Sequence, residues 1–187
     1  GDSLASAPGT LPTPEAPERV WAPTWCAAWA EELPLDGHAR LRLVPGADWA
    51  ALSEAGQRAL IGAAFRVSPL SDRMGLRLEG PGLDLAGLAE KLSAGVTYGT
   101  LQLPPGGQPI LLGVERQSTG GYPVLGTVAS VDLGRLAQLR PGEALRFELV
   151  MVEAAQDLLR ARETRLKRLL AGLALRWPLN GRGKTPP

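Results

Sequence analysis

The chain has 187 residues, 44% of them hydrophobic and 21% charged, which supports one ordinary globular domain with a small extra piece and excludes a disordered chain. Twenty basic against 19 acidic residues leave a net +1, so nothing global draws the chain to nucleic acid or a membrane surface, and no apolar run approaches a membrane span. A single cysteine, Cys26, excludes an intrachain disulfide, and with a single histidine, His38, it argues against a protein-only zinc site.

Residues 5–18 contain Pro8, Pro12, Pro14 and Pro17 and are expected to be a linker. Trp21, Trp25 and Trp29 then recur at a spacing that puts them on one side of a helix. Such a stripe packs on a neighbouring domain more often than it stacks a ligand. No basic, apolar, cleavable leader is visible, so a cytoplasmic protein is expected. Arg40 to Val44 alternates as a strand with one wet face, and Pro45-Gly46 turns the chain. A helix is expected from Asp48, capped by that residue, with Trp49, Leu52, Leu60 and Ile61 apolar. Further strands are expected at Ala64–Val67, Gly75–Glu79, Thr97–Leu103, Pro109–Val114, Pro123–Val131 and Ala144–Val152. In the last of these, Leu145, Phe147, Leu149 and Met151 share a face, and a short helix or turn around Leu133–Leu139 precedes it. From Glu153 to about Leu175 leucines approach helical spacing, and Trp177-Pro178 stops the element.

Gly 23 and Pro 17, with short strands between turns, predict a mainly β fold: a closed or nearly closed β-barrel with one or two helices packed against it. The expected division is a linker at 1–39, the barrel at 40–152, and an amphipathic helix with a basic tail at 153–187. Between Arg160 and Lys184 eight basic residues face one acid, Glu163, so that segment carries +7 and the remainder −6. The plain reading is a solvated helix face; the sharper one is a docking surface for an acidic partner.

Two segments set polar residues against glycine between core-like strands. In the first, Ser68 to Gly80, Ser71 and Asp72 suit a turn, and Arg73 suits an ion pair with Asp72 or Glu79. Alternatively, Arg73 and Arg77 lie on one face of an extended strand and offer guanidinium forks to a carboxylate or phosphate. In the second, Glu115 to Pro123, Gly120-Gly121 permits a backbone conformation closed to other residues, and its amides can serve an anion or oxyanion. Arg116, Gln117, Ser118, Thr119 and Tyr122 surround them. A plain hairpin turn explains Gly120-Gly121 slightly better on composition alone. No nucleophile–base pair and no phosphate loop is present, and the catalytic residue stays unassigned.

The same segments carry a family resemblance. SPLSDRMGLRLEGPGL (Ser68 to Leu83) resembles the S-DRMG-RLEGP signature of the KipA-type proteins, a family also known as the C subunit of 5-oxoprolinase, allophanate hydrolase subunit 2 or biotin-dependent carboxyltransferase-like proteins. Leu92 to Phe147 is similar to the GxxQ-PP-GQPI and RQTTGGYP blocks of that family's C-terminal half, and Leu41 to Trp49 to its LRV-PGP stretch. The sequence departs from the pattern at Leu70, Leu76 and Ser118, where Gln, Tyr and Thr are common.

The resemblance implies a cyclophilin-like β-barrel. It also implies one component of a hydrolase that works with a KipI-type partner and a LamB/YcsF-type partner, cleaving 5-oxo-L-proline to L-glutamate with ATP. No cofactor is expected on this chain; ATP belongs to the assembled enzyme. The family's N-terminal half, with its TVQD-GR-type motif, is not in this sequence, so a fragment inactive on its own is expected. Substrate-binding candidates are Ser71, Asp72, Arg73, Arg77, Arg116, Gln117, Thr119, Gly120, Gly121 and Tyr122. Two other readings stand beside this one: a regulatory module that sequesters a KipI-like partner, and a carboxyltransferase or allophanate hydrolase-like domain. A literal carboxybiotin role ranks lowest, because no Met-Lys acceptor occurs and the carrier would have to come from another chain.

Overall fold

The computed structural model describes residues 38–85 and 92–176. The proposed linker up to residue 37, the tryptophan stripe, Cys26 and the Trp177-Pro178 stop lie outside them, whereas His38 and Ala39, expected to end the linker, already belong to the first strand. Nine strands are present among the described residues: β1 (His38–Pro45), β2 (Phe65–Val67), β3 (Gly75–Glu79), β4 (Ala94–Gly95), β5 (Thr100–Gln102), β6 (Ile110–Leu112), β7 (Thr119–Gly120), β8 (Val124–Val128) and β9 (Ala144–Leu149). Seven of them close into a barrel in the order β1-β8-β5-β6-β3-β2-β9, and β4 with β7 forms a separate small ribbon. The mainly β barrel is thus the architecture. Its helices among the described residues are α1 (Glu54–Gly62), α2 (Leu133–Leu136) and α3 (Val152–Arg176), in the three regions where the sequence offers a helix or helical turn.

Period-two alternation produces this closure. Leu41 and Leu43 of β1, Phe65 and Val67 of β2, Leu101, Leu111, Leu125, Leu145 and Phe147 point inward and are 0–3% exposed. The ring of Phe65 lies 6.0 Å from that of Phe147 at a 58° tilt. All barrel pairs are antiparallel except β1 with β9, which run parallel from His38↔Ala144 to Leu43↔Leu149.

Several elements are shorter than the apolar pattern predicts. The expected Thr97–Leu103 strand begins only at Thr100, because Thr97 to Thr100 is a turn in which Thr97 N–H donates to Thr100 Oγ1 at 3.1 Å. Leu149 and Met151 do not extend the β9 core face; they are 36% and 66% exposed as the chain leaves for α3. Asp48 is not the helix cap. A short 3-10 turn (Trp49–Ala51) follows it, and α1 starts later, where Ser53 Oγ accepts from Gly56 N–H at 3.0 Å. Asp48 instead accepts from Val124 N–H at 2.7 Å, tying the first turn to β8. Gly46 makes that contact possible: a Cβ there would lie 2.5 Å from the Val124 carbonyl oxygen.

α3 rests on the barrel through a second 3-10 turn (Ser130–Asp132) and β1, while Leu166 and Leu170 further along are 42% and 55% exposed. Asp132, fully buried, is the anchor of this region. Its carboxylate accepts from the Arg42 backbone N–H (2.9 Å), Arg42 Nε (2.8 Å) and Arg42 Nη2 (2.5 Å). This fork raises the Arg42 guanidinium above its ordinary pKa, against the opposing effect of burial. No helix among the described residues is long and apolar enough to cross a membrane.

Candidate functional site

The register of the sheet determines what stands on the outside of the barrel. Leu76, Leu111 and Leu101 form one cross-strand row, and the last two are fully buried in the interior. The next row, Arg77–Ile110–Gln102–Val124, therefore faces outward across β3, β6, β5 and β8. Residues 113–123 and the β4–β7 ribbon fold over this face, and between them lies a cleft of about 400 Å³.

Backbone bonds stitch the two polar segments together. Gly113 N–H donates to the Met74 carbonyl at 2.8 Å and Glu115 N–H to the Arg73 carbonyl at 3.1 Å. Gly113 is needed for this approach, since a Cβ would stand 2.2 Å from the Arg73 carbonyl oxygen. Asp72 closes the turn before β3, its Oδ1 accepting from Met74 N–H (2.8 Å) and Gly75 N–H (3.1 Å). The Ser71 hydroxyl accepts from Arg77 N–H at 3.0 Å.

Of the sequence candidates, Asp72, Arg77, Arg116, Gln117, Thr119, Gly120, Gly121 and Tyr122 line the cleft. Ser71 and Arg73 do not. Arg73 precedes the strand rather than sharing a face with Arg77, and it pairs with Glu115 at 3.0 Å, not with Asp72 or Glu79. Gly120 is not in the left-handed region, and it pairs with Ala94 instead of turning a hairpin between β6 and β8. Its small size serves another end: a Cβ at Gly120 would meet the Gln102 side-chain nitrogen at 2.7 Å. Gln102 itself, only 4% exposed, is a lining residue absent from the sequence candidates, although the GxxQ block ends on it.

The electrostatics favour an anion. Arg77 and Arg116 stand against the single carboxylate of Asp72, and neither arginine forms an ion pair among the described residues. Arg116 Nη1 donates to the Val114 carbonyl at 3.3 Å, whereas its Nε is buried without a partner. The backbone N–H groups of Gly121 and Tyr122 donate to no backbone carbonyl among the described residues. Val96, Ile110 and Leu112 supply an apolar wall. Such a site suits a small ligand with one negative group and an apolar edge.

The model of the carboxyltransferase domain, subdomain A and B, matches residues 2–149. The chain belongs to this family. Among curated relatives, the 5-oxoprolinase C subunit of Haemophilus influenzae is 37% identical over 129 residues, covering 69% of this chain and 42% of that protein. The 5-oxoprolinase C subunit of Escherichia coli is 36% identical over 116 residues, covering 62% and 37%. The chain thus spans about two fifths of the length of these relatives. The crystal structure of TTHA0988 superposes with a TM-score of 0.53 at 38% identity, over 62% of this chain and 22% of that one. The K. lactis urea amidolyase matches with a TM-score of 0.63 at 21% identity, over 68% and 8%, a likeness of fold.

Proposed function

We propose that this carboxyltransferase-domain chain contributes part of the substrate site of an ATP-dependent 5-oxoprolinase. The observation that carries this reading is the joining of two polar segments, distant in sequence, into one cleft with two arginines and two N–H groups that donate to no backbone carbonyl among the described residues. The Arg77 and Arg116 guanidiniums hold the carboxylate of 5-oxo-L-proline, or a carboxyphosphate-like intermediate. The Gly121 and Tyr122 N–H groups face the reacting carbonyl and stabilise the charge that develops on its oxygen. Ile110, Leu112 and Val96 receive the ring methylenes. ATP is used by the enzyme assembled with two partner proteins, one KipI-type and one LamB/YcsF-type, in the cytoplasm. The chain alone is inactive.

The test is ATP-dependent 5-oxoproline hydrolysis by the full-length protein with both partners supplied. Arg77→Ala and Arg116→Ala each lower turnover about tenfold to a hundredfold, the worth of roughly 1.5–3 kcal/mol for a charged hydrogen bond. Arg73→Ala, whose partner is the exposed Glu115, changes turnover less than about twofold. Equal rates for all three variants refute the reading.

A second reading is favoured by α3. It exposes Leu166 and Leu170, and its Arg162 and Arg165 line, with Arg42 and Arg135, a crevice of about 420 Å³. This surface suits an acidic partner held without chemistry, as in a regulatory module that sequesters a KipI-like protein. A complex with the KipI-type partner that forms normally, with no turnover under any condition, would favour it.

A further inference from the structure

Gln102 occupies a position that an apolar residue would fill without cost to the barrel. Its neighbours Leu101 and Leu103 are core residues, and Gln102 itself is 4% exposed on the covered outer face. The orientation of its amide is decided by the loop. Tyr122 presents a carbonyl, which can take only the NH2 group, and Nε2 donates to it at 3.1 Å. The amide oxygen is left over, and it accepts no hydrogen bond among the described residues. The oxygen is not sealed off and stays open to the cleft, so a ligand that takes the place of solvent there must itself supply a donor.

The register places that acceptor relative to the cation. Arg77, Ile110 and Gln102 lie side by side on adjacent strands, so the Cβ atoms of Arg77 and Gln102 are about 10 Å apart, two interstrand spacings. An arginine side chain spans most of that gap. A carboxylate on the Arg77 fork therefore sits within a few bonds of a group facing the Gln102 oxygen.

Resting on the reading of the cleft as a lactam–carboxylate site, we propose that Gln102 is its specificity-determining residue. Its Oε1 accepts the ring N–H of the substrate while its Nε2 holds the covering loop through Tyr122. The substrate class is a small carboxylate with an amide N–H on the adjacent carbon. An ester or lactone of the same shape places a ring oxygen against Oε1 and is rejected by repulsion between two acceptors.

The test compares equilibrium binding of 5-oxo-L-proline and of its lactone isostere, in which the ring N–H is replaced by oxygen, to the full-length protein. Wild type prefers the lactam at least about tenfold. Gln102→Met, of similar volume and with no acceptor, binds both ligands within about twofold of each other. Gly120→Ala, whose Cβ pushes the same amide aside from the loop, is the second variant and lowers the ratio in the same direction. Arg77→Ala weakens both ligands equally and keeps the ratio. An undiminished lactam preference in Gln102→Met or Gly120→Ala, or no preference in wild type, overturns the inference while leaving the cleft reading intact. Failure of wild type to bind either ligand overturns both.

Discussion

Three arginines that look alike in sequence have three different surroundings. Arg73 is neutralised by Glu115 at the surface, Arg77 stands on the outer row of β3, and Arg116 has its Nε buried without a partner. The pairing of Arg73 with Glu115 joins residues far apart in the chain, so no local pattern announces it. Asp48 is a similar case: Asp before an apolar stretch reads as a cap, yet its acceptor is claimed by Val124 N–H from β8. Gln102 ends the GxxQ block, yet its place in the cleft is hidden in the sequence for a physical reason too. Alternation puts it on the wet face of β5, and only the later loop, with glycine at 120, covers it. At this scale the clearest stability prediction concerns Asp132. Asp132→Ala removes the carboxylate from the Arg42 fork and from Arg135 at 3.6 Å, leaving a half-buried guanidinium. A loss of about 3–5 kcal/mol is expected, read as a lower midpoint in urea unfolding. Asp132→Asn, which keeps one acceptor oxygen, loses less.

Strand centres were legible where inward residues repeat with period two, at 41 and 43, 65 and 67, and 145 and 147, and elsewhere as short apolar runs between turns, around 111 and 125. Strand ends were not. Their limits depend on turns such as Thr97–Thr100 and on the bulge between Leu101 and Gln102, which partner strands impose. The cleft depends on one such junction, where the chain after β6 passes under the turn before β3. Gly113→Ala puts a methyl into the Arg73 carbonyl and forces the two segments apart. The expected result is a destabilisation of about 1–3 kcal/mol, together with ligand binding weakened by more than the stability loss explains. Calorimetric binding on protein kept well below its melting temperature separates the two effects. Retention of wild-type affinity would show that the junction does not shape the cleft.

For the whole molecule, the barrel and α3 respond differently to shortening. A chain ended at residue 143 lacks β9, which pairs with both β1 and β2, and is expected to lose the cooperative unfolding transition. A chain ended at residue 163 keeps β9 and the part of α3 against the 3-10 turn, and is expected to retain near-wild-type near-ultraviolet circular dichroism. The two segments of the cleft were legible as sites of polar crowding; that they meet on the outside of the barrel rather than in its mouth follows only from register.

The parallel pairing of β1 with β9 also sets an order in time. β1 is made before both of its partners: β9 lies about a hundred residues downstream, and the strand between them that it also meets, β8, is nearly as late. A ribosome-bound chain must therefore carry Leu41 and Leu43, destined for full burial, exposed while the next hundred or so residues are made. Closure is a late, single event, and until it happens the nascent protein depends on chaperones or on speed of translation to stay clear of its neighbours.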